Sequence, residues 1–239
     1  MSEHGGYLVF DLETVPDRSL YRPPPTEERP FAPLYAQRVV AAGALQLDQE
    51  RGFVEMWASG DADDEPAILD GLSRIIERRR PVLVTFNGRG FDLPVLVLRG
   101  LRHGLSLPWY FEEARYRDRR EESGHVDLCD ALALYGAARR SVSLDAAARL
   151  IGLPGKLEVD GSQVEALHAA GQLGAIRRYC LADVAQTALL LLRYHLLQGR
   201  LDRPRYRAAA AALLRALERD ERLEPTLFAH IERDRLLLP

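Results

Sequence analysis

The chain has 239 residues, 47% of them hydrophobic and 28% charged, with a formal net charge of −3 at pH 7. That length fits one sizeable domain or a domain with an appendage, and 18 glycines with 14 prolines exclude collagen-like and largely disordered chains. A pI near 6.1 argues against a strong sequence-independent grip on a long duplex. No apolar run approaches the ~20 residues of a membrane helix, and Met1–His4 shows no signal-peptide pattern. Cys129 and Cys180 make neither a disulfide framework nor a metal-ligand set. The expectation is a soluble, cytoplasmic protein with no membrane partner. Lys156 is the only lysine; the remaining basic residues are arginines, which suit bidentate phosphate contacts, although coding bias gives the same excess.

Residues 6–13 begin as an apolar, β-prone run and end in two acids, which predicts a buried strand emerging into a polar place. Six prolines between residues 16 and 33 then predict a long Pro-rich loop or flap, spanning 16–37. Arg38–Leu47 and Gly52–Ala58 read as the strands of a hairpin. Glu65–Arg79 has the 3-4 apolar spacing of an amphipathic helix, and Pro81–Phe86 reads as a central strand covered on both faces. A glycine-punctuated turn, Asn87–Phe91, leads into a helix over Asp92–His103, with Asp92 at its cap and Pro94 in its first turn. His125–Leu128 is a short strand, and helices are predicted at Ser143–Ile151, Ser162–Ala170 and Leu173–Leu197. Residues 200–239, with helical patterns at Arg205–Arg219 and Thr226–Arg235, read as a C-terminal helical appendage to a 1–199 domain. It is either solvated or packed by its apolar residues. Strands followed by strand–helix alternation predict an α/β fold with a mixed sheet.

Asp11 and Glu13, two apart on a strand, share one face. Two ionised acids side by side repel and burial raises the cost, so a divalent cation suits them better than a core does. Strand ends and turns carry such pairs as well. Tyr179 and Asp183, four apart, share a helix face; a rim tyrosine beside a solvated aspartate fits the same spacing. Asp92 follows a strand and opens a helix, where an N-cap role and a place beside a ligand site coincide.

Taken together, Phe10-Asp11-Leu12-Glu13-Thr14, Asn87-Gly88-Arg89-Gly90-Phe91-Asp92 and Tyr179-Cys180-Leu181-Ala182-Asp183 resemble the three motifs of the DEDD 3′–5′ exonucleases in order and spacing. The closest likeness is to the predicted exonucleases related to the proofreading domain of family B DNA polymerases. Val159–Val164 and His125–Leu128 are similar to that group too, and the resemblance runs from about Tyr7 to Leu197. The histidine subtype has its histidine where Arg178 stands here. The tyrosine subtype has its tyrosine where Tyr179 stands, so the chain resembles a DEDDy enzyme.

That resemblance implies a DnaQ-like, ribonuclease H-like fold: a mixed five-stranded sheet flanked by helices. It implies two Mg²⁺ or Mn²⁺ ions held by Asp11, Glu13, Asp92 and Asp183. Tyr179 would orient the water that attacks the phosphodiester, releasing nucleoside 5′-monophosphates. Neutralising those four acids would take the net charge from −3 to +1, which suits an anionic strand. Leu12 would wedge against the terminal base, and the Thr14 backbone would meet the terminal 3′-hydroxyl. Asn87 and Phe91 would line the strand channel, with Phe91 either stacking on a base or serving as a core aromatic. Arg89 and Lys156 fit phosphate contacts or solvated side chains equally. Asp127 reads as a structural acid and His125 as a satisfied strand-edge residue. The expected substrate is the 3′ end of single-stranded or frayed DNA. A role in DNA repair, or in proofreading as a separate subunit beside a polymerase, follows from the same resemblance. An exoribonuclease on short RNA and a silent nucleic-acid-binding adaptor are the alternatives.

Overall fold

The computed structural model describes residues 5–22, 31–138, 142–155 and 163–238. Five strands, β1 (Tyr7–Pro16), β2 (Gln37–Leu47), β3 (Phe53–Ser59), β4 (Val82–Thr85) and β5 (His125–Asp127), form one sheet in the order β3-β2-β1-β4-β5. β1 runs antiparallel to β2, and β2 to β3, whereas β1–β4 and β4–β5 are parallel. This is the mixed sheet expected from the sequence. β4 is buried along its whole length, as a continuous apolar run requires.

β1 is longer than expected. It continues past the two acids to Pro16, paired with Gln37, so Asp11 and Glu13 stand inside a strand and not at its end. Between Glu13 and Thr14 the register shifts, because the partners step from Ala41 to Val39 and leave Val40 as the extra residue of a bulge. Of the Pro-rich segment, residues 23–30 lie outside the described set, as does Lys156.

Helices cover both faces. On one side lie α1 (Glu65–Arg79), α2 (Asp92–His103) and α3 (Pro108–Glu112); Leu8, Phe10 and Leu12 pack there with Ile68, Leu72, Leu96 and Trp109. α1 starts where Asp64 accepts a hydrogen bond from the Ala67 N–H at 3.1 Å, and it stops at Arg80 in a left-handed conformation. α3 was not predicted. At five residues it is under two turns, too short for its apolar spacing to register.

The short α4 (Leu128–Leu132) follows β5 directly, so Leu128 begins a helix instead of ending a strand. The Asp127 carboxylate caps it, accepting from the N–H groups of Cys129 and Asp130. Next come α5 (Leu144–Leu150), α6 (Val164–Ala169) and α7 (Leu173–Leu197), then α8 (Arg203–Leu217), α9 (Pro225–Ala229) and α10 (Arg233–Leu237). The single helical pattern expected over Thr226–Arg235 is thus two helices. The Glu232 N–H donates to the Gly152 carbonyl at 2.8 Å at the break between them.

α7 lies across the other face of the sheet, where Val9, Leu45, Val84 and Val126 meet Leu181, Val184, Ala188 and Leu192. A buried leucine or valine of this kind contributes about 1.5–3 kcal/mol. Tyr206, Leu213, Leu214, Leu227 and Leu236 from the C-terminal helices belong to the same cluster. Contrary to the sequence-based expectation, α7 is long and apolar enough, by length and composition, to cross a membrane, but 72% of the qualifying window is buried within the fold.

Two close contacts fix how the site is framed. Gly43 of β2 pairs with Asp11, and a Cβ placed there would stand 2.9 Å from the Cys180 sulfur of α7. An absent side chain therefore sets how near α7 lies to the strand bearing the acids. On the opposite face, Arg99 of α2 is 1% exposed and bridges Glu65 at 2.6 Å and Asp17 at 3.0 Å. It also donates to the Tyr35 carbonyl, while the Asp17 N–H donates to the Ala36 carbonyl, so both ends of the Pro-rich segment are tied to α2. Glu65 further accepts from the Val39 N–H at 2.8 Å, beside the bulge, and pairs with His103.

Gly43→Ala is expected to lower stability by about 1–3 kcal/mol through overpacking. Adding Cys180→Ala should restore part of the loss, as read by denaturant unfolding of all four chains; strictly additive losses would show that this contact is not the cause. Arg99→Met should cost about 3–5 kcal/mol, because two buried carboxylates lose their counter-charge. Burial alone would raise the Asp17 pKa, but hydrogen bonds from Ser19 and Arg99 outweigh it and hold it at about 2. The same balance, with Arg99 and His103 as partners, lowers Glu65. Asp17 thus lends stability that is complete above its unfolded pKa and lost as pH falls from about 4 toward 2. In Arg99→Met the acid-unfolding limb should begin at higher pH, and an unchanged limb would contradict the assignment.

Candidate active site

Alternation along β1 puts Asp11 and Glu13 on the face that α7 covers, while Leu8, Phe10 and Leu12 go to the other. One ligand-type atom from each of Asp11, Glu13 and Cys180 lies within 4.8 Å of the others. Burial first, then the charges of Asp92 and Asp183, push the Asp11 carboxyl well above the usual carboxylate range. Glu13 is raised as well, by burial first and then by Asp11 and Asp183, and the two carboxyls share a hydrogen bond. The charges acting most strongly on both groups are other carboxylates. Hard oxygen donors that repel one another in this way fit a divalent cation such as Mg²⁺ or Mn²⁺.

Asp92 reaches this cluster by a route the sequence did not reveal. It is the first residue of α2, and Phe91, not Asp92, takes the cap position. Its carboxylate accepts a 3.0 Å hydrogen bond from the Leu12 N–H on β1. β1 and β4 pair only from Tyr7–Val82 to Val9–Val84, so beyond that point a side chain replaces the missing strand partner. Asp92 is 2% exposed, and burial pushes its pKa up to about 7 despite the Leu12 hydrogen bond.

α7 brings the third group. Tyr179 and Asp183 lie one turn apart, as their spacing predicts, and the tyrosine hydroxyl is hydrogen-bonded to the Asp183 carboxylate. Burial, then Asp183, Glu13 and Asp11, raise the Tyr179 pKa, so its hydroxyl is a proton donor throughout the ordinary pH range. Cys180, quoted in the motif without a role, was missed by the sequence reading. Its thiol points at the Asp11 backbone carbonyl at 3.4 Å and at the carboxylate at 3.7 Å. Burial and the surrounding acids keep that thiol protonated. Gly43 was missed too, although a glycine inside a predicted strand is a signal of close backbone approach.

The turn after β4 is held from below. Asp127 accepts from the backbone N–H groups of Asn87 and Arg89, both at 2.9 Å, in addition to capping α4, which matches its expected structural role. Asn87 adopts a left-handed conformation with φ 69°, which asparagine tolerates, and is exposed. Gly88 allows no side chain, because a Cβ would stand 2.3 Å from the Thr85 hydroxyl oxygen. Arg89 is half-buried in the turn, at the wall of a cavity, and its guanidinium donates to the carbonyls of Asp118 at 2.8 Å and His125 at 2.9 Å. Those partners lie far along the chain, which is why the sequence could not show them. His125 is buried at the sheet edge, shares a 2.7 Å hydrogen bond with Thr85 and is kept neutral by burial.

The four residues expected to contact substrate fare differently. Asn87 faces outward, and Phe91 is half-buried, resting on the core beneath the turn with Phe31 against its ring. The Thr14 hydroxyl donates to Gln37 at 2.7 Å, next to the bulge. Leu12 is the exception: its side chain, 4% exposed, packs in the core on the face opposite Asp11 and Glu13. Beside the carboxylates, not over them, a cavity of about 540 Å³ opens past the turn; its walls include Asn87, Gly90, Tyr110, Arg117 and Arg119. Of the Val159–Val164 stretch, residues 159–162 lie outside the described set.

A family model described as a predicted 3′–5′ exonuclease related to the exonuclease domain of PolB matches residues 29–232. No curated protein matches the sequence. Among solved structures, the family B DNA polymerase of the hyperthermophilic archaeon Pyrobaculum calidifontis aligns with a TM-score of 0.53 at 19% identity, covering 80% of this chain. This chain spans 24% of that polymerase's length. E. coli Exonuclease I in complex with a dA16 oligonucleotide aligns over 83% of this chain and 46% of its own, at 16% identity and a TM-score of 0.37. The zinc-bound form of the E. coli ExoI–ssDNA complex aligns over 83% and 45%, at 16% identity and a TM-score of 0.36. With a mixed five-stranded sheet of ribonuclease H-like type and a family match over most of its length, the chain belongs to the predicted 3′–5′ exonucleases related to the exonuclease domain of PolB.

Proposed function

We propose that this exonuclease hydrolyses phosphodiester bonds at the 3′ end of single-stranded or frayed DNA with two divalent metal ions, by the DEDDy arrangement. The observation that supports this most is the convergence of Asp11 and Glu13 from β1, Asp92 from α2 and Asp183 with Tyr179 from α7, where each acid's charge weighs on its neighbours. Asp11, Glu13 and Asp183 would hold one Mg²⁺ or Mn²⁺ ion, and Asp11 with Asp92 a second. Bound there, such ions supply an activated water and stabilise charge on the attacking and leaving oxygens of an in-line displacement.

The protein's own groups do the positioning. The Leu12 N–H holds the Asp92 carboxylate in one orientation. Tyr179 stays protonated and is no general base at neutral pH; its role is to orient the attacking water by a hydrogen bond. DNA is placed before RNA because the aligned neighbour is a DNA polymerase and the family is described by its relation to PolB. Arg117 along the neighbouring cavity suits the backbone of a strand leading away from the carboxylates, whereas Arg119 is already paired with Asp130. Residues 1–199 would form the catalytic domain, with 200–239 as a helical cap on it.

The test is degradation of 3′- and 5′-labelled single-stranded DNA and RNA of matched sequence, with Mg²⁺, with Mn²⁺ and with EDTA. A metal-dependent ladder from the 3′ end, faster on DNA, is expected; a faster RNA ladder would reassign the substrate, and strand binding without cleavage would make the protein an adaptor. Asp11→Asn should abolish the ladder while its Tm in EDTA holds or rises, since removing one acid relieves repulsion. A large fall in that Tm would contradict the cluster. Tyr179→Phe should lower kcat by less than Asp11→Asn does and keep the metal-induced rise in Tm. Equal losses would give the tyrosine a larger role than orienting water.

A further inference from the structure

The outward side of α8 carries positive charge that the fold does not use. Arg207, Arg215 and Arg219, the last just past the helix end, recur at multiples of four residues and share one broad side. Tyr206, Ala210, Leu213 and Leu217 are buried on the other. All three arginines are exposed, and among the described residues none of them forms an ion pair. Most neighbouring acids are committed: Asp202 caps α8, Glu218 pairs with Arg233 and Asp220 with Arg222. The helix also has a defined course. It doubles back along α7, because Arg193 lies 4.8 Å from the centre of the Tyr206 ring while Glu224, beyond α8, pairs with Arg178 at 2.7 Å. Arg178 is the residue before Tyr179. The basic side thus starts near the tyrosine-bearing turn of α7 and runs away from it along 15 residues, about 22 Å.

The flank on which α8 lies decides what it can hold. Arg222 donates to the Met56 carbonyl of β3 at 2.7 Å, which puts the end of α8 at the β3 edge of the sheet. The cavity lined by Arg117 lies at the opposite edge, with Asp127 of β5 in its wall. The carboxylates of β1 stand between the two. A cleaved strand that leaves past Arg117 does not also follow α8, so the second basic surface calls for a second backbone. We infer that α8 receives phosphates of the complementary strand at a frayed duplex end, while the 3′ strand enters the carboxylate cluster. The inference rests on the exonuclease reading and narrows its substrate to a frayed end over a free single strand. Guanidinium groups suit phosphates, and a short basic track that ignores bases is what an uncleaved strand of any sequence needs. It also lets a chain of net charge −3 hold DNA, by keeping unpaired cations apart from the site acids.

The assignment is tested by fluorescence anisotropy with the full chain in Ca²⁺. The probes are a labelled single strand of DNA and a duplex whose 3′ end is frayed by mismatches. Arg207→Gln, Arg215→Gln and Arg219→Gln combined are expected to weaken binding of the frayed duplex roughly 10- to 100-fold at ~0.1 M salt. The slope of log K against log salt should flatten by about 2, the share of three lost phosphate contacts. Affinity for the single strand, its Mg²⁺-dependent degradation and the Tm should stay as in the wild type. The corresponding Arg→Lys triple should keep most of the duplex affinity, since charge is what the phosphates read. Equal losses on both probes would place the cleaved strand on α8 and overturn the assignment. No loss on either, with degradation intact, overturns it as well, leaves the exonuclease reading standing and points to an acidic protein as the partner of this face. A wild type that neither binds nor degrades strands overturns both.

Discussion

Three carboxylates, the half-buried Asp11 and the buried Glu13 and Asp92, are held where desolvation and mutual charge oppose their ionisation, and the rest of the structure is what keeps them there. A strand fixes two of them with a period of two. A helix start fixes the third by aiming its carboxylate at the one backbone N–H that the diverging strands leave over. The fourth acid, Asp183, and Tyr179 arrive on α7, which Gly43 allows to lie close against the sheet. Left without a counter-ion such a cluster is a cost to folding, so the fold tolerates it only because large apolar surfaces on both faces of the sheet outweigh it.

How much of this is legible in the sequence depends on whether the interaction is local. The period of two in Asp11–Glu13 and of four in Tyr179–Asp183 are backbone geometry, and both survive unchanged in the structure. The apolar run of β4 and the whole extent of α7 are equally plain. What escapes is non-local. The Leu12–Asp92 hydrogen bond spans eighty residues, and the carbonyls that hold Arg89 come from the segment beyond α3. Leu12 shows the cost of reading a motif as a unit: its neighbours go to the site, but alternation sends its own side chain to the core. Short helices such as α3 and α4 leave no periodicity to find, and the bulge at Glu13/Thr14 has no residue signature at all.

The two flanks of β1 are stabilised by different chemistry. On the α7 side most contacts are apolar, and besides the acids α7 buries the polar side chains of Gln186, Thr187 and His195. On the α1/α2 side a buried ion network, Arg99 with Asp17 and Glu65, holds the strand end, the bulge and both described ends of the Pro-rich segment. Positive charge is thus buried near β1, but it is already neutralised by its own acids and faces away from Asp11 and Glu13. That separation matters. An arginine on the α7 face would pair with the site carboxylates and leave them nothing to offer a cation.

α7 owes its unusual hydropathy to being covered twice. Its early turns carry Tyr179 and Asp183 to the site. Its later turns lie between the sheet and the C-terminal helices, where Leu189, Leu191 and Leu192 share one cluster with Leu213, Leu214 and Leu217 of α8. Arg193 adds polar ties, donating to the carbonyls of Arg235 and Leu236 at 2.8 Å each. A helix apolar on every side is the signature of one buried all round, and here its burial requires residues beyond 200. Those residues fix the axis along which Tyr179 and Asp183 are delivered. A site made from one strand and one distant helix is only as rigid as the packing that joins them.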